Sequence, residues 1–214
     1  MTKLRWLIGI GAILVLTAVV LADPAALWWG SGSPEDEAER VVALAGVSAG
    51  QAIAEVGAGR GEMARVIARK LLPGGRLFVT ELDDERLVDL RAMVSSEGWR
   101  HVDVLRGDSA GTALPLACCS LVYLRHVFHH FGDRRAMARA LYDAVPTGGR
   151  VLVIDFAPHW LLGLIAPVTS DNGRASAHGV TAEEVIEHLR AAGFTLERQD
   201  LEWTAGSFMV MLRK

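Results

Sequence analysis

Gly57, Gly59 and Gly61 stand at alternate positions where an apolar run gives way to a helical pattern. A backbone so bare can turn tightly and let a ligand approach main-chain atoms. Carboxylates flank that turn: Glu55 lies two residues before the first glycine and Glu81 lies 24 beyond it, with Asp108 further along. One carboxylate can accept both hydroxyls of a vicinal diol, and another can accept an exocyclic amine. The set therefore describes a site for a nucleoside. His126, His129 and His130 cluster in "RHVFHH", and imidazole is the side chain suited to moving protons near neutral pH.

The elements that position these groups follow from periodicity. Strands are expected at 52–57, 76–81, 101–108, 120–127 and 149–158, with helices at 61–72, 83–98, 134–145 and 181–194. Segments 195–203 and 207–214 read as two further strands joined by Thr204-Ala205-Gly206, a connection too short for anything but an antiparallel pair. Thr181 followed by Glu184 is a capping box, and Gly193 a helix stop. The expected fold class is α/β: a doubly wound, seven-stranded, Rossmann-like sheet closed by a C-terminal antiparallel hairpin. Ligands of such sheets bind at the carboxyl ends of the strands, near the switch in strand order.

Glycine spacing alone would also fit a dinucleotide. The position after Gly61, however, is Glu62 rather than Gly or Ala, and Glu55 beside the loop would repel a diphosphate. A cationic nucleoside without phosphate suits the same charge, and S-adenosylmethionine is such a molecule. On these motifs the chain resembles the class I S-adenosylmethionine-dependent methyltransferases, in the small-molecule branch. "EVGAGRGEMA" is similar to the first motif of that family, "VTELD" to its acidic second-strand end, and "RGDS" to its third-strand loop. "LVYLRHVFHHF" and "PTGGRVLVIDFAP" resemble its fourth and fifth strands; Ser120 stands where many relatives carry an acid. The resemblance implies that Glu55, Gly57, Ala58, Gly59 and Gly61 line the methionine and ribose end of the cofactor. It further implies that Glu81 holds the ribose hydroxyls, Leu82 packs on adenine, Asp108 and Ser109 meet its amine, and Arg125 and His126 flank the methionine. The implied function is methyl transfer to a small acceptor, with His129 or His130 as the base where one is needed.

The rest of the chain bounds the setting. Net charge is −3, from 22 basic and 25 acidic residues, so no electrostatic footprint for nucleic acid exists. Cys118 and Cys119 are expected as unlinked core residues, and no metal site is expected. Residues 1–32 form a separate hydrophobic unit and linker, and 33–214 the methyltransferase domain, with Ser33 capping a helix begun by Pro34. Trp6 to Ala22 is uncharged over 17 residues, about 25 Å as a helix, and is expected to anchor the chain in a membrane. Lys3 and Arg5 favour the domain on the outer side, whereas the cofactor requires the cytoplasmic side, which is the expectation adopted; a cleaved signal peptide is the alternative. The apolar stretch around Trp160 and the loop bearing His178 are expected to wall the acceptor site. Together with the anchor they point to a lipophilic acceptor. The competing functions are a non-catalytic, membrane-tethered nucleoside-binding module and an NAD-dependent oxidoreductase. Oligomeric state leaves no mark on the sequence.

Overall fold

The computed structural model describes residues 33–108, 111–158, 179–204 and 206–214. The expected membrane anchor at 1–32 lies outside these residues; among the described residues no helix is long and apolar enough to cross a membrane.

Chain order is α1 (Pro34–Ala45), β1 (Ala52–Val56), α2 (Glu62–Lys70), β2 (Arg76–Glu81), α3 (Asp84–Ser96) and β3 (Val102–Arg106). Next come β4 (Leu121–Arg125), a 3-10 turn (Phe128–His130), α4 (Arg134–Ala144), β5 (Arg150–Phe156), α5 (Ala182–Ala192), β6 (Thr195–Thr204) and β7 (Ser207–Arg213). The strands form a seven-stranded sheet ordered β3-β2-β1-β4-β5-β7-β6. β1 to β5 pair in parallel, and β7 runs antiparallel to both β5 and β6. The expected hairpin is thus present, and order reverses between β1 and β4.

Side-chain alternation splits the core in two. Ile53, Leu77, Val79, Leu121 and Tyr123 pack with α1, α2 and α3 on one face. Ala54, Val56, Val122, Leu124, Val151 and Val153 pack with α4 and α5 on the other. Each helix is set by a local signal. Ser33 Oγ accepts the Asp36 amide at 3.1 Å ahead of Pro34, and Asp83 and Asp133 cap α3 and α4 in the same way. Both halves of the Thr181–Glu184 capping box form, and Gly193 is left-handed at φ 115°.

Cys118 and Cys119, expected as unlinked, are joined by a disulfide. In a strand adjacent side chains point to opposite faces, but β4 begins only at Leu121, and the preceding loop carries Ala117 at φ 48°. The pair lies in irregular chain, where both sulfurs can turn the same way. Cys119 is buried as expected.

Candidate functional site

A cavity of about 520 Å³ opens at the carboxyl ends of β1, β2 and β4, within the ~300–1,000 Å³ of ordinary ligand sites. Its wall carries Gly57, Gly59, Glu81, Leu82, Asp108, Arg125 and His126, all expected from the sequence, together with His130. The sequence did not single out Val56, Thr80, Arg86 or Val127, which also line it.

The glycine turn splits its labour. Gly57 has φ 76°, and a Cβ there would lie 2.5 Å from Val127 Cγ2. Its bareness thus lets the loop after β4 close against β1. Gly59, at φ 56°, borders the cavity, and a Cβ on it would meet nothing within 4 Å; here the bare backbone faces ligand space. Gly61 serves packing, since a Cβ would meet Leu90 Cδ2 at 2.7 Å. Ala58 is buried in the core, its amide bonded to Thr80 O at 2.9 Å. Neither Gly61 nor Ala58 is on the cavity wall.

Glu81 is the fixed point of the wall at the end of β2. Its carboxylate accepts the Gly59 amide at 2.8 Å, the Leu82 amide at 2.8 Å and the Asp83 amide at 3.2 Å. Four acceptor positions on a carboxylate leave room for a further donor. Leu82, 49% exposed beside it, offers an apolar surface, and Asp108 stands across from them on the loop after β3. Ser109 lies outside the described residues.

Glu55 lies behind the wall rather than on it. Strand alternation turns it toward α2, beside its register neighbour Tyr123, whose hydroxyl donates to Glu55 Oε2 at 2.9 Å. Burial pushes its carboxyl up to about 8, with the Tyr123 hydrogen bond opposing that rise. Tyr123 is itself raised well above the ordinary phenol value, first by burial and then by Glu55.

The loop after β4 carries the three histidines of the "RHVFHH" cluster. His126 adopts φ 52°, a left-handed conformation unusual for a bulky residue. Its Nε2 is 3.2 Å from Ser207 Oγ at the start of β7, and Phe156 meets its ring edge-on at 5.4 Å. Burial, then the nearby Arg125 charge, lowers His126 to about 4. His129 is nearly buried, with Nδ1 2.8 Å from Asp155 Oδ1 and its amide donating to Asp155 Oδ2 at 3.2 Å. The rings of His129 and His130 lie 3.9 Å apart, and only His130 reaches the cavity. Trp160 and His178 lie outside the described residues. Among the described residues no group of acids, histidines and cysteines could hold a metal.

These features fit S-adenosylmethionine. Ligand space opens over Gly59, a partly satisfied carboxylate and an exposed apolar side chain sit at one end, and a guanidinium sits at the other.

Residues 53–149 match the model of a family described as a methyltransferase domain. The ubiquinone/menaquinone biosynthesis C-methyltransferase UbiE of Pseudomonas putida is 25% identical over 121 residues, 54% of this chain and 46% of the relative. The chain thus spans about half the length of the curated relatives it matches. A SAM-dependent methyltransferase from Aquifex aeolicus superposes with a TM-score of 0.69 at 19% identity, covering 89% of this chain and 97% of that one. Phosphoethanolamine N-methyltransferase 2 of Haemonchus contortus, in complex with S-adenosyl-L-methionine, superposes at 0.67 with 15% identity, covering 86% of this chain and 53% of that one. The chain shares the fold of these two solved structures. The domain match thus covers β1 to the turn before β5, and the likeness to the solved structures extends over most of the chain.

Proposed function

We propose that this chain transfers a methyl group from S-adenosylmethionine to a small, lipophilic acceptor. The observation that carries the reading is the Gly59–Glu81 contact at the floor of the cavity, a side-chain-free turn and an anchored carboxylate that suit a ribose. Glu81, Leu82 and Asp108 bind the nucleoside, and the Gly57–Gly59 turn lets it lie against the main chain. The cofactor, when bound, supplies a methyl group activated by its sulfonium. The protein's share of the acceleration is alignment and exclusion of water. His130, on the wall, takes a proton from the acceptor, and Asp155 fixes the ring of His129 that packs against it at a tilt.

A lipophilic acceptor is supported by the uncharged run Trp6–Ala22 and the apolar stretch around Trp160. The UbiE relatives are C-methyltransferases of ubiquinone and menaquinone biosynthesis, which points the same way. On this reading the domain sits on the cytoplasmic face of a membrane.

Calorimetry with S-adenosylhomocysteine and NADH, followed by incubation of methyl-labelled cofactor with total lipid and aqueous extracts, tests the proposal. Binding of the homocysteine compound and label in an extracted lipid are the expected results. Binding of NADH instead would move the chain to the oxidoreductases. Cofactor binding without label in any product would leave a binding module. Deleting residues 1–32 should depress turnover of a lipid-dissolved acceptor more than of a water-soluble one; equal retention refutes the membrane link.

A further inference from the structure

We propose that Glu37, in the first turn of α1, is a positioning residue that holds Arg125 ready for the carboxylate at the amino-acid end of the cofactor. The inference rests on the cofactor reading above. Glu37 is fully buried, on the same helical stripe as Ala38, Val41 and Ala45. A carboxylate in such a place needs partners for both oxygens. One oxygen accepts Nε of Arg125, and the other accepts Nε1 of Trp203 at 3.2 Å. The Arg40 guanidinium lies over the Trp203 ring at 3.7 Å and donates to the Trp203 carbonyl, so the indole is fixed in turn. Partners 88 and 166 residues away in sequence thus converge on one buried carboxylate.

Arg125 nevertheless borders the cavity, with 21% of its side chain exposed. Among the described residues its hydrogen bond is made through Nε, which leaves both terminal NH2 groups for a ligand. Glu81 ends β2 and Asp108 follows β3, whereas Arg125 ends β4, on the other side of β1. A nucleoside lying on Glu81 and Leu82 therefore has its far end toward Arg125. S-adenosylmethionine has one anionic group, its carboxylate, and a planar guanidinium is the side chain that binds carboxylate in a fixed fork. Pinning Nε to Glu37 orients that fork before the ligand arrives, so the ordering cost falls on folding rather than on binding.

The test compares S-adenosylhomocysteine with methylthioadenosine, which keeps nucleoside and sulfur but lacks the amino acid. Kd values are measured calorimetrically on the full chain, as wild type, Arg125→Gln and Glu37→Gln. Loss of a charge-assisted pair predicts about 10-fold or more weaker S-adenosylhomocysteine binding in both variants, with methylthioadenosine changed by less than about twofold. Should Glu37→Gln not fold, Trp203→Phe removes the indole N–H together with part of the ring, and should show the same selective loss, smaller in size. Equal weakening of both compounds, or selective loss in Arg125→Gln with none in the Glu37 or Trp203 variant, overturns the positioning role. A wild-type chain that binds neither compound overturns the cofactor reading instead.

Discussion

Glu81 and Gly59 meet at 2.8 Å, the carboxylate of one strand end receiving the amide of the neighbouring glycine turn. The same carboxylate also caps the amides of Leu82 and Asp83. Glu81→Gln keeps the shape but removes the charge from these bonds. Hydrogen bonds to charged groups contribute about 1.5–3 kcal/mol each, so the variant should bind S-adenosylhomocysteine at least ~10-fold more weakly. It should also unfold at lower urea concentration. Calorimetry and urea titration check both, and unchanged affinity would remove Glu81 from the site.

Gly57→Ala should destabilise the domain for two separable reasons: a positive φ of 76° and a Cβ 2.5 Å from Val127 Cγ2. Overpacking costs typically ~1–3 kcal/mol. Val127→Ala in the same chain should recover the steric part and leave the backbone part. A double-mutant cycle in urea should therefore show a positive coupling between the two sites.

Leu82 tests the base end without disturbing the fold. It is 49% exposed, so Leu82→Ala should leave the unfolding free energy within about 0.5 kcal/mol of wild type. Cofactor KM should rise severalfold while kcat stays unchanged, the pattern of lost uniform binding.

Asp155 accepts the His129 amide, the His129 ring and the Phe156 amide. Asp155→Asn should let the His129 ring change tautomer while the cofactor groups remain in place. Loss of the base itself corresponds to about 10²–10⁴-fold; Asp155 acts on His130 only through the His129 ring, so a smaller fall of kcat, with S-adenosylhomocysteine affinity unchanged, is expected.

His126 and Glu55 give stability opposite slopes against pH. Burial, then Arg125, takes His126 from 6.5 to about 4. Between those values the unfolded chain binds the proton and the folded chain does not, so this contribution is complete above 6.5 and is lost as pH falls toward 4. Burial takes Glu55 from 4.5 to about 8, so here the folded chain holds the proton. Its contribution is complete below 4.5 and is lost as pH rises through 8. Urea midpoints across this range should show His126→Asn flattening the acid limb and Glu55→Gln flattening the alkaline one.

The parts of this molecule legible in the sequence are those fixed by local chemistry. Short apolar runs, capping residues and glycines marked each strand and α-helix of the described residues, and the short Thr204–Ser207 connection fixed an antiparallel pair. Glu81 and Leu82 could be placed because a strand end dictates where the next side chains go. Glu55 was harder: its acidic type suggested ligand contact, whereas strand alternation turns it onto Tyr123. Gly61 looked like part of a ligand cradle, yet the side chains that demand it, Leu90 and Met93, come from α3. Glu37 shares the first turn of α1 with Glu35 and Asp36, where the helix dipole favours any acid. Its i, i+4 spacing to Val41 on the apolar stripe was the available signal, but its partners Arg125 and Trp203 could be known only from the tertiary arrangement.

The run of α1 against the sheet has a practical corollary. Its first turn reaches Arg125 at the reactive rim, while Ala45 at its other end receives Arg150 at the opposite edge, where Arg213 also closes β7. Polypeptide fused ahead of Ser33 therefore emerges beside the opening through which reactants pass, whereas a handle added after Lys214 departs from the blind side. Immobilisation or purification tags belong at the latter end, where they obstruct neither entry nor release.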